Sequence, residues 1–198
     1  FLNYAIGIIG VLLSKFGLPD TSPDFSLNGS VLFNTFTFIS VVILAPIFEE
    51  LIFRGMILNA LTKYNKMFAI IVTSLLFGLL HLNITQAIPA FFMSLVLCYM
   101  YVQTDSILVT ILAHAGNNLL ALMSVYSDNF VLITVVIMVF VIYGLITIIL
   151  KSKEVNAFIK EEKTNENWYA RFFKQIPNLL YLIFTILWII ISLFMNMF

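Results

Sequence analysis

Residues 31–58 read VLFNTFTFISVVILAPIFEELIFRGMIL, and they place Glu49, Glu50 and Arg54 inside a stretch that is otherwise almost entirely apolar. A run of this length and hydrophobicity predicts a helix that crosses a membrane. Ionised side chains at that depth cost about 2.5 kcal/mol or more each on insertion scales, so they are normally retained for function. Pro46 precedes the two carboxylates, and we expect it to kink the helix and free a backbone carbonyl one turn earlier.

The composition of the chain indicates a membrane protein. Hydrophobic residues make up 62% of the 198, charged residues make up only 10%, and the mean hydropathy is +1.06. A soluble fold of this size could not keep so much apolar surface from water. Apolar runs of roughly 20 residues recur along the sequence, which favours helices over a β-barrel. The predicted fold class is therefore all-α: a polytopic transmembrane helix bundle of about seven spans with a polar cavity inside the membrane.

The sequence divides into five segments. They are an N-terminal helix end with an interfacial loop (1–30), a core that holds the buried polar groups (31–125), a further transmembrane helix (126–150), a charged connector (151–175) and a last span (176–198). Within the core, spans are predicted at 31–58, 67–81, 87–102 and 107–125, with a loop at 83–86 between the second and the third. Because the chain opens on Phe1 in an apolar run, we interpret it as a fragment that lacks its natural N-terminus.

Basic residues indicate an orientation in the membrane. Eight of the ten Lys and Arg residues lie in segments 59–66 and 151–175. Four predicted spans separate these segments, so both are expected on one side, which the positive-inside rule makes cytoplasmic. The formal net charge is zero, which gives no reason to expect nucleic acid as a partner.

The remaining polar groups within the apolar helices include both histidines of the chain. Glu50 and Arg54 are four residues apart, so they share a helix face and are expected to pair. Glu49 lies about 100° round that helix, which leaves it free for another partner. His114 and Asn118 are also four residues apart and project together.

Small and aromatic residues flank these polar positions. Phe77 precedes His81 by one helical turn and is expected to pack beside its ring. Gly78 and Gly116 would let another helix or a substrate backbone approach closely. Cys98, the single cysteine, is expected to be a small residue that faces the core or the lipid.

These side chains suit the hydrolysis of a peptide bond. A carboxylate can take a proton from water, an imidazole can orient that water, and an imidazole with an amide can stabilise the oxyanion. Two histidines and one glutamate also make a three-ligand zinc set, with the second glutamate as base. Taken singly, each group has a structural alternative. The Glu50–Arg54 pair could clamp the helix, and each histidine could be a hydrogen-bonded packing residue. A Gly-x-Ser-x-Gly motif, an intramembrane aspartate pair and a His-Glu-x-x-His motif are absent from the sequence.

The sequence contains three ordered motifs: Glu49-Glu50-x-x-x-Arg54, Phe77-x-x-x-His81 and His114-x-x-x-Asn118. These motifs resemble those of the CPBP family of CAAX-type proteases and bacteriocin-processing or immunity proteins, also called the Abi family. The resemblance covers about residues 40–125 and implies an intramembrane endopeptidase with a catalytic cavity inside the bilayer. It implies that Glu49 and His81 activate water, that His114 and Asn118 stabilise the oxyanion, and that Glu50 and Arg54 support the site.

The resemblance leaves a metal-dependent and a metal-free mechanism open. Zinc is the candidate metal, and Glu49, Glu50, His81 and His114 are its candidate ligands. The expected partners are a peptide or membrane-protein substrate and the lipid bilayer of a bacterial plasma membrane, while the sequence favours no oligomeric state. Two other functions stay open: a non-catalytic immunity or scaffold protein of the same fold, and a proton- or ion-coupled transporter, since buried Glu and His also relay protons.

Overall fold

The computed structural model describes residues 10–17, 29–126, 135, 139, 142, 146, 147 and 149–195, and its regular structure over these residues is helical. The helices are labelled α1 (Val31–Thr62), α2 (Lys66–Leu80), α3 (Ile84–Thr104), α4 (Ile107–Tyr126), α5 (Ser152–Glu161), α6 (Trp168–Phe173) and α7 (Ile176–Met195). Among the described residues, α1, α3 and most of α4 and α7 are long and apolar enough to cross a membrane, and α2 is a shorter apolar helix. The predicted all-α membrane bundle is confirmed.

Several predicted segments lie wholly or largely outside the described residues. They are the helix end at 1–13, the loop at 14–30, the span at 130–150 and the last residues, 196–198. The predicted number of about seven spans therefore stays a prediction.

The outer faces of the long helices carry large apolar side chains. On α1, Leu32, Phe33 and Phe36 are 67%, 59% and 62% exposed, and α7 likewise presents Phe184 and Trp188. Apolar surface this extensive marks a membrane or protein contact. With the lengths of the helices, it identifies an integral membrane protein.

The α2–α3 hairpin corrects the predicted boundaries. α2 ends at Leu80, so His81 caps the helix rather than lying inside a span. α3 begins at Ile84, because the Asn83 side chain accepts a hydrogen bond from the Gln86 amide at 2.8 Å and thereby caps the helix. The predicted loop at 83–86 is therefore mostly helix.

A glycine contact sets the spacing of α2 and α3. A Cβ atom on Gly78 would lie 2.7 Å from the Ala87 carbonyl oxygen and 3.1 Å from the Phe91 Cβ. The absence of a side chain therefore lets the two backbones approach closely, as the sequence predicted for this glycine. The ring of the neighbouring residue, Phe77, meets Phe53 of α1 edge to face at 5.0 Å, and these two rings form an apolar cluster with Ala90 of α3.

The charged connector contains α5 and α6 and packs on the start of α2. Glu162 accepts hydrogen bonds at Oε2 from the Lys66 backbone amide at 2.8 Å and the Asn65 side chain at 3.0 Å. Phe68 meets the rings of Tyr169 and Phe172 edge to face. The two basic segments thus touch each other at one end of the bundle. That this end faces the cytoplasm stays a prediction.

Helix α1 changes its winding beside Pro46. Its turns are π-helical over Ile39–Leu44 and again over Leu51–Leu58, with α-helical Ala45–Glu50 between them. At the end of the first π-helical segment, the Ala45 amide donates to the carbonyl of Ser40, one residue further back than in an α-helix. Wide turns of this kind are frequent at functional sites.

Candidate active site

Glu50 is the centre of a buried polar network. Its side chain is fully buried, and Oε1 accepts a hydrogen bond from Arg54 Nη1 at 2.9 Å, which confirms the pair predicted from the spacing. The same oxygen lies 2.8 Å from Nδ1 of His114 on α4. Because the carboxylate is an acceptor, we assign the Nδ1 proton to His114, which directs Nε2 away from Glu50.

Arg54 connects this network to α3. Its Nη2 donates to the Ser94 hydroxyl at 2.9 Å, and its guanidinium lies 4.9 Å from the centroid of the Phe77 ring. Ser94 was not predicted from the sequence, because no motif spacing links it to Arg54, which is distant along the chain. Cys98 is buried beside the hydroxyls of Ser94 and Ser74, at 3.8 and 3.7 Å from Sγ, so it faces the core.

Glu49 is the accessible carboxylate of the pair. Its side chain is 28% exposed, and Oε2 lies 3.8 Å from Nε2 of His114. The sequence predicted His81 as its partner, but no ion pair joins Glu49 to His81 among the described residues. At 3.8 Å the contact is too long for a hydrogen bond. Glu49 and His114 therefore face each other without being locked together.

Both histidines contact one aromatic ring. Phe77 is fully buried, and its centroid is 5.3 Å from the His81 ring and 5.8 Å from the His114 ring, each in an edge-to-face arrangement. The predicted packing of Phe77 beside His81 is confirmed. His81 Nδ1 lies 3.1 Å from the Phe77 carbonyl. A carbonyl can only accept, so Nδ1 carries the proton and Nε2 keeps its lone pair.

Asn118 binds the backbone of α1. Its Nδ2 donates to the carbonyl of Val41 at 2.9 Å, and its Oδ1 lies 3.4 Å from Nδ2 of Asn117. One of the two amide hydrogens is left for another acceptor. Among the described residues, no atom outside α4 lies within 4 Å of where a Cβ on Gly116 would sit.

The candidate metal ligands do not form a metal-binding group in the described part of the chain. Within the described part of the chain, no group of three or more His, Cys, Asp or Glu side chains could hold a metal ion. Glu50 in particular shares its Oε1 between Arg54 and His114. Glu49, Glu50, His81 and His114 form no such group in this arrangement, and zinc as a cofactor stays a prediction.

Comparison with known families covers the same part of the chain. Residues 31–120 match the family described as "Type II CAAX prenyl endopeptidase Rce1-like". This segment is similar to the Rce1-like family. It contains α1, α2, α3 and most of α4, and with them all six polar residues predicted for the site. The resemblance inferred from the three motifs is confirmed.

A curated relative supports the same assignment. The protein named "Putative membrane peptidase YdiL" of Bacillus subtilis (strain 168) is 36% identical over 77 residues, which cover 38% of this chain. The alignment spans 32% of that relative's own length. No solved structure matches the chain.

Proposed function

We propose that this chain is an intramembrane endopeptidase that hydrolyses peptide bonds of small membrane-associated or peptide substrates without a metal. The observation that carries the proposal is the pairing of an accessible Glu49 with the Nε2 edge of His114, 3.8 Å away, inside the family segment. Behind this pair, His114 is anchored by the fully buried Glu50 and Arg54. A free base beside a fixed imidazole is the arrangement that general acid–base hydrolysis needs.

In the proposed reaction, Glu49 takes a proton from a water molecule as its oxygen attacks the carbonyl carbon of the scissile bond. His81 orients that water through the lone pair of Nε2. The negative charge that develops on the substrate oxygen is stabilised by His114, when Nε2 carries a proton, and by the remaining amide hydrogen of Asn118. Protonated Glu49 then gives its proton to the leaving nitrogen, and the carbon–nitrogen bond breaks. Glu50 and Arg54 hold His114 in place throughout.

The names of the family and of the relative support peptidase chemistry. The family description includes prenylated CAAX substrates, whereas we propose short peptides or membrane-protein segments for this chain. Cleavage is best tested with the purified protein in lipid vesicles and a library of membrane-anchored peptides, with products read by mass spectrometry.

The decisive variant is Glu49→Gln, which keeps the shape of the side chain and removes its basicity. Loss of a general base should lower kcat by about 10²–10⁴-fold. Glu161→Gln, on the connector, is the matched control and should leave kcat unchanged. Full activity of Glu49→Gln would refute the assignment. If the native protein cleaves no peptide and Glu49→Gln retains the cellular phenotype of the native protein, the result would favour a non-catalytic scaffold.

The metal-free part of the proposal has its own test. Proteolysis should persist after dialysis against a strong zinc chelator, and metal analysis of the active protein should show no stoichiometric zinc. Activity that disappears with the chelator and returns with added zinc would contradict the metal-free mechanism, although not the peptidase assignment.

We also propose that the basic segments 59–66 and 151–175 face the cytoplasm of a bacterium. The single cysteine, Cys98, is buried, so a Cys98→Ala background allows one reporter cysteine to be placed in each segment. Lys63→Cys and Lys163→Cys should both react with a membrane-impermeant maleimide only when it reaches the cytoplasmic face. Labelling of intact cells from outside would contradict this orientation.

A further inference from the structure

The carbonyl of Val41 lies where helix α1 lacks a backbone donor. The π-helical segment Ile39–Leu44 ends with the Ala45 amide donating to the Ser40 carbonyl, five residues back. The next amide in the same register would be that of residue 46, directed at Val41. Residue 46 is proline and carries no N–H. The Val41 carbonyl therefore has no partner within its own helix in this register.

Asn118 supplies the missing donor from another helix. Its Nδ2 lies 2.9 Å from the Val41 oxygen, and an unpaired carbonyl inside a membrane is costly, which makes this bond important for the packing of α4 on α1. A second bond joins the same two helices, from His114 Nδ1 to Glu50 Oε1 at 2.8 Å. The catalytic pair, Glu49 and His114, is carried by the helices that these two bonds hold together.

We propose that Asn118 is a positioning residue: it replaces the hydrogen bond that Pro46 cannot make, and thereby sets how His114 faces Glu49. The proposal rests on the proposed function and deepens it. An amide group has two hydrogens, so a bond to Val41 is compatible with a contact between the other hydrogen and the oxyanion. What distinguishes the positioning role is its dependence on Pro46, which contributes no group to the proposed reaction.

A double-mutant cycle tests this dependence. Pro46→Ala restores a backbone amide that can donate to Val41, so it should make the Asn118 bond redundant. Asn118→Ala alone should lower Tm by roughly 2–6 °C and kcat by about 10²-fold or more, because the oxyanion donor is lost as well, with little change in KM. In the Pro46→Ala background, the same substitution should cost less than half as much in Tm, and the loss of kcat should be smaller by the part that the position of His114 contributes. Pro89→Ala, in helix α3, is the matched control, and in that background Asn118→Ala should show its full effect.

The outcomes separate the inference from the proposed function. Equal losses of Tm or of kcat on Asn118→Ala in the native and Pro46→Ala backgrounds would overturn the positioning role. If Asn118→Ala does not fold alone, Pro46→Ala should restore folding and Pro89→Ala should not; failure of that rescue also overturns it. Absence of cleavage by every variant, the native protein included, would refute the peptidase, while the Tm cycle would still report on the bond to Val41.

Discussion

Two arginine–glutamate pairs in this protein differ mainly in burial, and they allow the buried pair to be tested. Arg54 and Glu50 are joined by a contact of 2.9 Å with both side chains 0% exposed, and Arg171 and Glu166 by a contact of 2.9 Å with side chains 64% and 52% exposed. Each guanidinium also lies over an aromatic ring, at 4.9 and 5.0 Å from the centroid. The same substitution to methionine can therefore be made in both places.

The expected magnitudes differ strongly. An exposed ion pair contributes about 0–1 kcal/mol, because water solvates and screens both charges. Removal of one partner from a buried pair costs about 3–5 kcal/mol, because the other charge is left without compensation. Arg54→Met also removes the hydrogen bond to the Ser94 hydroxyl. We therefore expect Arg54→Met to lower the free energy of unfolding several times more than Arg171→Met does.

The assay is reversible unfolding by SDS titration in mild detergent micelles, followed by far-ultraviolet circular dichroism. Removal of the second charge, in Arg54→Met with Glu50→Gln, should recover part of the lost stability, since no buried charge then remains unpaired. Losses for Arg54→Met and Arg171→Met that agree within about 1 kcal/mol would refute the reasoning. They would show that burial does not govern the energetics of these pairs.

Three further predictions test other contacts of the structure. Ser94→Ala should lower kcat several-fold with little change in KM, since the guanidinium of Arg54 loses an acceptor, and steady-state kinetics on a cleaved peptide would show it. Gly78→Ala should lower Tm because its Cβ would meet a backbone oxygen of α3 at 2.7 Å. Gly116→Ala should leave Tm unchanged or raise it, since its Cβ would meet no described atom outside α4 within 4 Å; equal shifts would contradict the packing. Glu162→Gln should increase hydrogen exchange at the start of α2, where its carboxylate accepts from the Lys66 amide at 2.8 Å; unchanged exchange would mean that this contact does not secure the connector.

The sequence predicted well those features that depend on one helix alone. Apolar runs long enough to cross a bilayer identify membrane helices, because unpaired backbone groups are too costly there for other structures. The spacing of Glu50 and Arg54 is a property of the helical repeat, so their pairing could be predicted before any tertiary structure. The position of Phe77 beside His81 follows from the same repeat.

Features that join different helices could not be predicted in this way. The partner of Glu49 was expected to be His81, yet Glu49 faces His114, because the rotation of α4 against α1 depends on packing rather than on spacing. The start of α3 was also misplaced, since a side-chain cap at Asn83 outweighs the hydropathy of the flanking residues.

What the sequence by itself determined is the membrane, the helices and the polar residues of the candidate site, because hydrophobicity and helical periodicity are local properties. What only the tertiary structure decided is how those residues are connected: Ser94 behind Arg54, and Asn118 at the carbonyl beside Pro46. These bonds join helices that are distant in sequence, and their partners are chosen by the depth, rotation and close approach of packed helices. The helices around the glutamate pair in residues 31–58 thus give its two members different environments. Glu50 is a buried support, whereas the side chain of Glu49 is accessible.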